Sequence, residues 1–190
     1  MERKRCWGDE NDLSRAYHDN EWGVPTHDDK ELFEFIILEG AQAGLSWMTI
    51  LKRREGYRRA FANFDFRKIA KFEQKDVKRL IKDEGIIRNK LKIESTILNA
   101  KVFLKIREEF GSFDKYIWRF VDNKPINNNV KSWKEVPSQT EISDKISKDL
   151  KKRGMKFVGS TIIYAFMQAV GMVNDHRVDC FKHKEIVSKY

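Results

Sequence analysis

Apolar residues recur at helical spacing along almost all of this 190-residue chain, and no period-two alternation persists long enough to specify a sheet. The fold class is therefore all-α. The strongest case follows Asp28, where Leu32, Phe33, Phe35, Ile36, Ile37 and Leu38 make a helix apolar almost all round, with Glu31 placed for a capping box. Such a helix has to be central. Gly40 and Gly44 break the pattern, and Ser46 can cap a second helix carrying Trp47, Ile50 and Leu51, so the intervening segment reads as a tight turn. Further helices are expected over 66–72 after Asp65, over 76–81, over 89–110, after Ser112, through Ile142, Ile146 and Leu150 up to Gly154, and after Ser160. The stretch 122–137, rich in Asn and with two prolines, reads as the main irregular connection.

With 41% hydrophobic residues the chain can bury a real core, and its length suits one domain over 1–190, or two closely packed helical subdomains. An excess of 38 Lys and Arg over 29 Asp and Glu gives a net charge of +9, which favours polyanionic partners. The N-terminal residues include basic side chains but no apolar run after them, and no window is long enough to cross a bilayer. A cytoplasmic protein without a membrane partner is expected.

Two regions carry the chemistry. The first is 16–25, AYHDNEWGVP, followed by 38–47, LEGAQAGLSW; together they supply Tyr17, Trp22, Trp47 and the carboxylate of Glu39, which suits a flat, electron-poor base. Glu39 ends an apolar helical run, so its buried carboxylate needs a partner. A base edge would serve, and so would the backbone of the 40–44 turn. Aromatics near helix ends are also common core residues, and Tyr17, Trp22 and Trp47 keep that second reading. The other region is the sequence around Gly85, where one helix ends and the next begins beside Arg88, Lys90 and Lys92. Outward backbone amides and a helix N-terminus in that setting bind phosphate without reading sequence. This resembles a helix-hairpin-helix element over 76–97, with Ile87 where a second Gly is expected; an ordinary helical corner fits equally well.

Cys6 and His18 lie near one end of the chain and His176 and Cys180 near the other. If that segment is helical, the i, i+4 spacing of the second pair puts both on one face, and two such pairs complete a closed tetrahedral Cys2His2 shell for a structural metal. Free thiols and surface histidines are the alternative.

The runs AYHDNEWGVP, LEGAQAGLSW with ILKRRE after it, GIIRNKLKI, KKRGMKFVG and FMQAVGMVNDH, in this order, closely resemble bacterial 3-methyladenine DNA glycosylase I over almost the whole chain. The resemblance implies an all-helical helix-hairpin-helix glycosylase fold in which one structural Zn2+ at Cys6, His18, His176 and Cys180 ties the termini together. It implies a base pocket of Tyr17, Trp22, Glu39 and Trp47, with Glu39 as the catalytic residue. The turn of Gln42, Gly44 and Leu45 would contact the gap left by an extruded nucleotide, and Gly85, Arg88 and Lys90 the DNA backbone. Most helix-hairpin-helix glycosylases carry a catalytic Asp about twenty residues past the hairpin, a feature this family lacks; here 103–109 read FLKIREE, without Asp.

The expected reaction is hydrolytic excision of 3-methyladenine from alkylated double-stranded DNA by a monomer, giving an abasic site and free base. Methylation at N3 makes the base cationic and a good leaving group, so strong acid catalysis is not required. Trp47 and Tyr17 would hold the cationic ring while Glu39 accepts hydrogen bonds from its N6/N7 edge. No lysine is placed as a Schiff-base nucleophile, so no strand cleavage is expected. A noncatalytic, zinc-stapled DNA-binding protein is the alternative.

Overall fold

A computed structural model describes residues 3–190, and its architecture follows from the apolar helix. That helix, α2 (Asp29–Gln42), comes after α1 (Asp12–Asn20) and buries every residue from Leu32 to Ala41. Asp28 caps it by accepting from the amides of Lys30 and Glu31. The expected capping box is only half made, because the Glu31 carboxylate accepts instead from the Thr26 hydroxyl at 2.5 Å. Gly40 does not end the helix. It stays helical and lets Phe157 approach, since a Cβ there would sit 3.1 Å from the Phe157 Cβ and carbonyl oxygen. The break comes at Gly44, which adopts a φ of +76°.

Shorter helices follow α2 in the chain: α3 (Trp47–Leu51), capped by Ser46 as expected, α4 (Arg54–Ala60), α5 (Phe66–Ile69), capped by Asp65, and α6 (Gln74–Leu80). The long α7 (Lys90–Phe110), capped by Asn89, packs against α2, α5, α6 and α8 (Phe113–Trp118), the last capped by Ser112. Phe33, Phe66, Phe103 and Phe113 meet at this junction, with ring centroids 4.2–5.8 Å apart between neighbours. Later in the chain lie α9 (Glu141–Lys152) and α10 (Ser160–Ala169), and α10 packs on both α9 and α2. Ser160 is the first residue of α10 and not its cap; Gly159 holds that position, and the Ser160 hydroxyl bonds that of Ser143 on α9. The chain ends in α11 (Phe181–Lys189).

The loop over 122–137 contains one feature outside the all-α reading. Ile126–Asn127 forms a two-residue strand, β1, parallel to β2 (Val173–Asn174), and draws the segment before His176 into the interior. Two residues are too few to show alternation, so this pairing leaves no periodic signal. Among the described residues no helix is long and apolar enough to cross a membrane.

Candidate active site and metal centre

The two ends of the chain meet at four buried side chains: Cys6 ahead of α1, His18 within it, His176 just after β2, and Cys180 at the start of α11. Cys6 Sγ lies 3.4 Å from both His18 Nε2 and His176 Nδ1, and Cys180 Sγ lies 3.5 and 3.7 Å from the same two nitrogens. A tetrahedral ion with metal–sulfur bonds of about 2.3 Å and metal–nitrogen bonds of about 2.0–2.1 Å has S···N edges of about 3.5 Å. The cluster has the shape of that shell. The outer nitrogens are also engaged: His18 Nδ1 donates to Asp19 at 2.8 Å and His176 Nε2 donates to the Trp22 carbonyl at 2.9 Å. Each inward nitrogen thereby keeps its lone pair for a ligand. Burial opposes ionisation of Asp19, yet Arg5 and His18 hold its carboxyl below the usual range. The Cys180 thiol is drawn strongly down, first by its hydrogen bond with Cys6 and then, against burial, by those with His176 and His18, toward the thiolate a cation requires.

From this cluster a row of rings runs to the start of α3. Centroid separations are 4.5 Å from His176 to Trp22, 5.3 Å from Trp22 to Trp7, 5.9 Å from Trp7 to Tyr17 and 5.2 Å from Tyr17 to Trp47. Tyr17 and Trp47 are therefore brought together. Trp22 lies at the metal end of the row, its carbonyl serving His176 and its ring facing Trp133 at 6.2 Å. Trp7, which sequence spacing could not place, is the link between the two ends.

Glu39 faces inward one turn before α2 ends and is 5% exposed. It lines a cleft of about 200 Å³ with Gln42, Ala43, Gly44 and Leu45 of the following turn and with Thr161, Ile162 and Ala165 of α10. Its carboxyl takes no hydrogen bond from the backbone of the 40–44 turn, the other partner that the sequence allowed. Burial alone pushes the carboxyl up to about 8, so it carries a proton at neutral pH. The Tyr17 hydroxyl is pushed well up as well, by burial and then by the negative charge of Glu39. Trp47 Nε1 is a buried donor without a partner among the described residues. A larger, open cleft of about 860 Å³ is lined by Glu21, Glu34, Arg54 and Arg58, but there Arg54 and Arg58 pair with Glu34 at 2.5 and 2.8 Å and Arg54 with Glu21 at 2.6 Å. Charges already paired have little left to offer a ligand. The Glu39 carboxyl and the Trp47 N–H keep their hydrogen-bonding capacity unused among the described residues.

Leu45 projects from the turn and is 40% exposed, while its amide is held by the Gln42 carbonyl at 2.7 Å. The α6–α7 corner is also formed, although α6 ends at Leu80 and an irregular loop carries the chain past Gly85. Arg88 and Lys90 are exposed there, loosely paired with Glu84 and Glu94 at 3.5 and 3.8 Å. The loop amides, expected to face outward, are largely used within the loop: Gly85 N donates to Asp83 Oδ1, Ile86 N to the Asp83 carbonyl, and Ile87 N to the Tyr57 hydroxyl. Lys92 is not a surface cation; it is buried, with its ammonium on the Ala41 and Ala43 carbonyls. The α10 wall of the cleft was not foreseen, because Thr161, Ile162 and Ala165 carry no chemistry that marks them in a sequence.

Residues 7–183 match the family model of methyladenine glycosylase. The chain is 51% identical over 178 residues to DNA-3-methyladenine glycosylase 1 of Escherichia coli K12, covering 93% of this chain and 95% of that protein. A crystal structure of 3-methyladenine DNA glycosylase I, 50% identical, superposes with a TM-score of 0.91 over 94% of this chain and 98% of that one. A single-residue variant of a 3-methyladenine DNA glycosylase I, in complex with 3-methyladenine and 35% identical, gives a TM-score of 0.91 over 93% and 95% of the two chains. With sequence match, fold and a base-sized cleft in agreement, the chain belongs to the methyladenine glycosylase family and is a glycosylase.

Proposed function

We propose that this protein excises 3-methyladenine from alkylated double-stranded DNA by hydrolysis of the glycosidic bond, leaving an abasic site and releasing the free base. The observation that carries this reading is the Glu39 carboxyl, which lines a cleft, is buried, has no hydrogen-bond partner among the described residues, and lies close enough to Tyr17, the ring neighbour of Trp47, for its charge to act on the Tyr17 hydroxyl. In the attached nucleotide N9 is bonded to the sugar, N7 has a lone pair and N6 bears hydrogens. A carboxyl that holds its proton at neutral pH donates its O–H to N7 and accepts from N6–H, matching that edge at two points. The cationic ring gains about 0.5–2 kcal/mol from each aromatic face, and neutral adenine gains less. As the C1′–N9 bond breaks, its electron pair moves into the ring and N7 becomes more basic, so the bond from Glu39 strengthens toward the transition state. Water forms the new bond to C1′ and loses its proton to solvent. The lability of the cationic lesion supplies the rest of the selectivity.

In the same reading, Leu45 and its turn occupy the space left by the flipped nucleotide, while the α6–α7 corner, as a helix-hairpin-helix, rests on the phosphates through Arg88 and Lys90. No lysine amine lines the cleft, so the enzyme leaves the abasic strand uncut. The Cys6, His18, His176 and Cys180 cluster holds one Zn2+, and because all four positions are filled by protein the ion acts as a structural tie. The protein works as a monomeric single domain. Glu39→Gln, which cannot offer an acidic proton to N7, is expected to lower 3-methyladenine release from methylated duplex by more than about tenfold with fold and duplex affinity kept. An unchanged rate removes Glu39 from the mechanism, and wild-type protein that binds DNA yet releases no base returns the chain to a noncatalytic binder.

A further inference from the structure

We propose that Lys92 is a positioning residue that locks the exposed Gln42–Leu45 turn to the α6–α7 corner, so that backbone contact at the corner and insertion at the turn act on DNA at a fixed spacing. The ammonium donates to the carbonyls of Ala41 and Ala43, at 2.8 and 2.7 Å. These carbonyls belong to the last turn of α2, where unpaired acceptors and the helix dipole both favour a cation. The other end of the side chain is equally fixed. The Lys92 amide donates to Asn89 Oδ1 at 3.1 Å, and its carbonyl accepts from the Ser95 and Thr96 hydroxyls at 2.8 and 2.9 Å. Four residues before it in the chain is the exposed Arg88; two residues beyond Ala43 is the exposed Leu45.

A lysine is an unusual choice for this place. Its residue is only 9% exposed, and burial pulls its amine below the ordinary value, so the position carries a desolvation cost that an apolar side chain would avoid. What the cation does that an apolar residue cannot is hold two carbonyls on either side of the point where α2 stops being helical. Ala43 is the residue at which the backbone leaves the helix, and Gly44 follows in the left-handed region with nothing within 4 Å of where a Cβ would lie. The turn's own hydrogen bond, from the Leu45 amide to the Gln42 carbonyl, closes it locally but does not tie it to α7. Lys92 does, and through it the turn takes its position from α7.

This inference rests on the glycosylase reading, and its test separates the two. In Lys92→Met, amide exchange at Leu45 is expected to accelerate by at least about tenfold while the centre of α7 stays protected, a measurement that needs no DNA. Unchanged exchange at Leu45 overturns the tether. With DNA, affinity for undamaged duplex and for free 3-methyladenine should stay within about twofold of wild type, whereas the preference for duplex with an abasic-site analogue and single-turnover excision should each fall by about tenfold. Leu45→Ala should show the same split, and the double variant should be no worse than either single one. Additive losses overturn the proposal, as does a uniform loss across all three ligands. If the Met variant does not fold, Lys92→Gln, whose shorter side chain can reach at most one carbonyl, is read by the same measurements. A wild-type protein that releases no base defeats the glycosylase reading and leaves the exchange result standing.

Discussion

Glu39, the proposed contact to the base edge, works against the stability of the fold that holds it. Buried and without a hydrogen-bond partner among the described residues, its carboxyl is raised from 4.5 to about 8, with burial as the cause. Between these values the unfolded chain has released a proton that the native state still holds, so stability is complete below about pH 4.5 and declines as pH rises toward 8. At about 1.36 kcal/mol per unit, the loss over that window is about 5 kcal/mol, a large share of what a domain of this size has. Glu39→Gln removes the titration. Its stability relative to wild type should therefore be small at pH 4.5 and grow to several kcal/mol by pH 8, read from urea midpoints at a series of pH values. A constant difference across that range would mean that Glu39 titrates as an exposed carboxylate. If Glu39 donates to N7 as proposed, the same titration should limit activity, since above about pH 8 that proton is lost and excision should fall with it. A buried carboxylate was legible from the apolar helical run that Glu39 ends. Whether the 40–44 backbone would satisfy it was not.

The helices and their caps were the most legible level, because spacing and capping are local chemistry: Asp28, Ser46, Asp65 and Ser112 each cap the helix expected after them, while Asn89, read as the first residue of its helix, caps it instead. What could not be read was where two backbones touch. Gly40 looked like a helix breaker, and its role is instead to admit Phe157. The α6–α7 corner depends on a similar approach. A Cβ on Gly56 of α4 would lie 2.0 Å from the Gly85 carbonyl oxygen and 2.6 Å from its carbon, backbone atoms that cannot rotate away. Gly56→Ala should therefore displace the loop before Arg88 and cost about 1–3 kcal/mol or more. Duplex affinity should weaken with it, since Arg88 and Lys90 follow that loop. Gly159→Ala is the comparison: it has ordinary φ and nothing within 4 Å of a Cβ, so it should lose only what an N-cap loses on change to Ala, about 1 kcal/mol or less. Equal stability of the Gly56 variant would show that α4 and the corner can slide apart without loss.

For the molecule as a whole, the question is what closes the chain on itself. Pairing of residue 6 with residue 180 was legible only because Cys and His are rare here, 2 and 4 in the chain, and fall at its two ends. The aromatic row from that cluster to the cleft was not legible, since nothing in spacing says that Trp7 lies between Trp22 and Tyr17. Besides the cluster, the ends are joined by the Phe181 amide on the Lys4 carbonyl at 2.9 Å and by Arg3 and Arg5 over the Phe181 ring. Such contacts are individually weak. If the cluster holds zinc as proposed, the ion is the main closure, and its effect should extend to the base site through the rings. The purified protein should contain about one zinc per chain, and its removal by a chelator should lower the melting temperature by several degrees or more. Tryptophan fluorescence should change at the same time, because Trp7 and Trp22 pack on His18 and His176 at 5.1 and 4.5 Å. Binding of free 3-methyladenine should weaken before duplex affinity does, since Tyr17 is next in the row after Trp7 and the α6–α7 corner is carried by other elements. Metal-free protein with unaltered melting and base binding would show that hydrogen bonds among the four side chains are sufficient to close the fold.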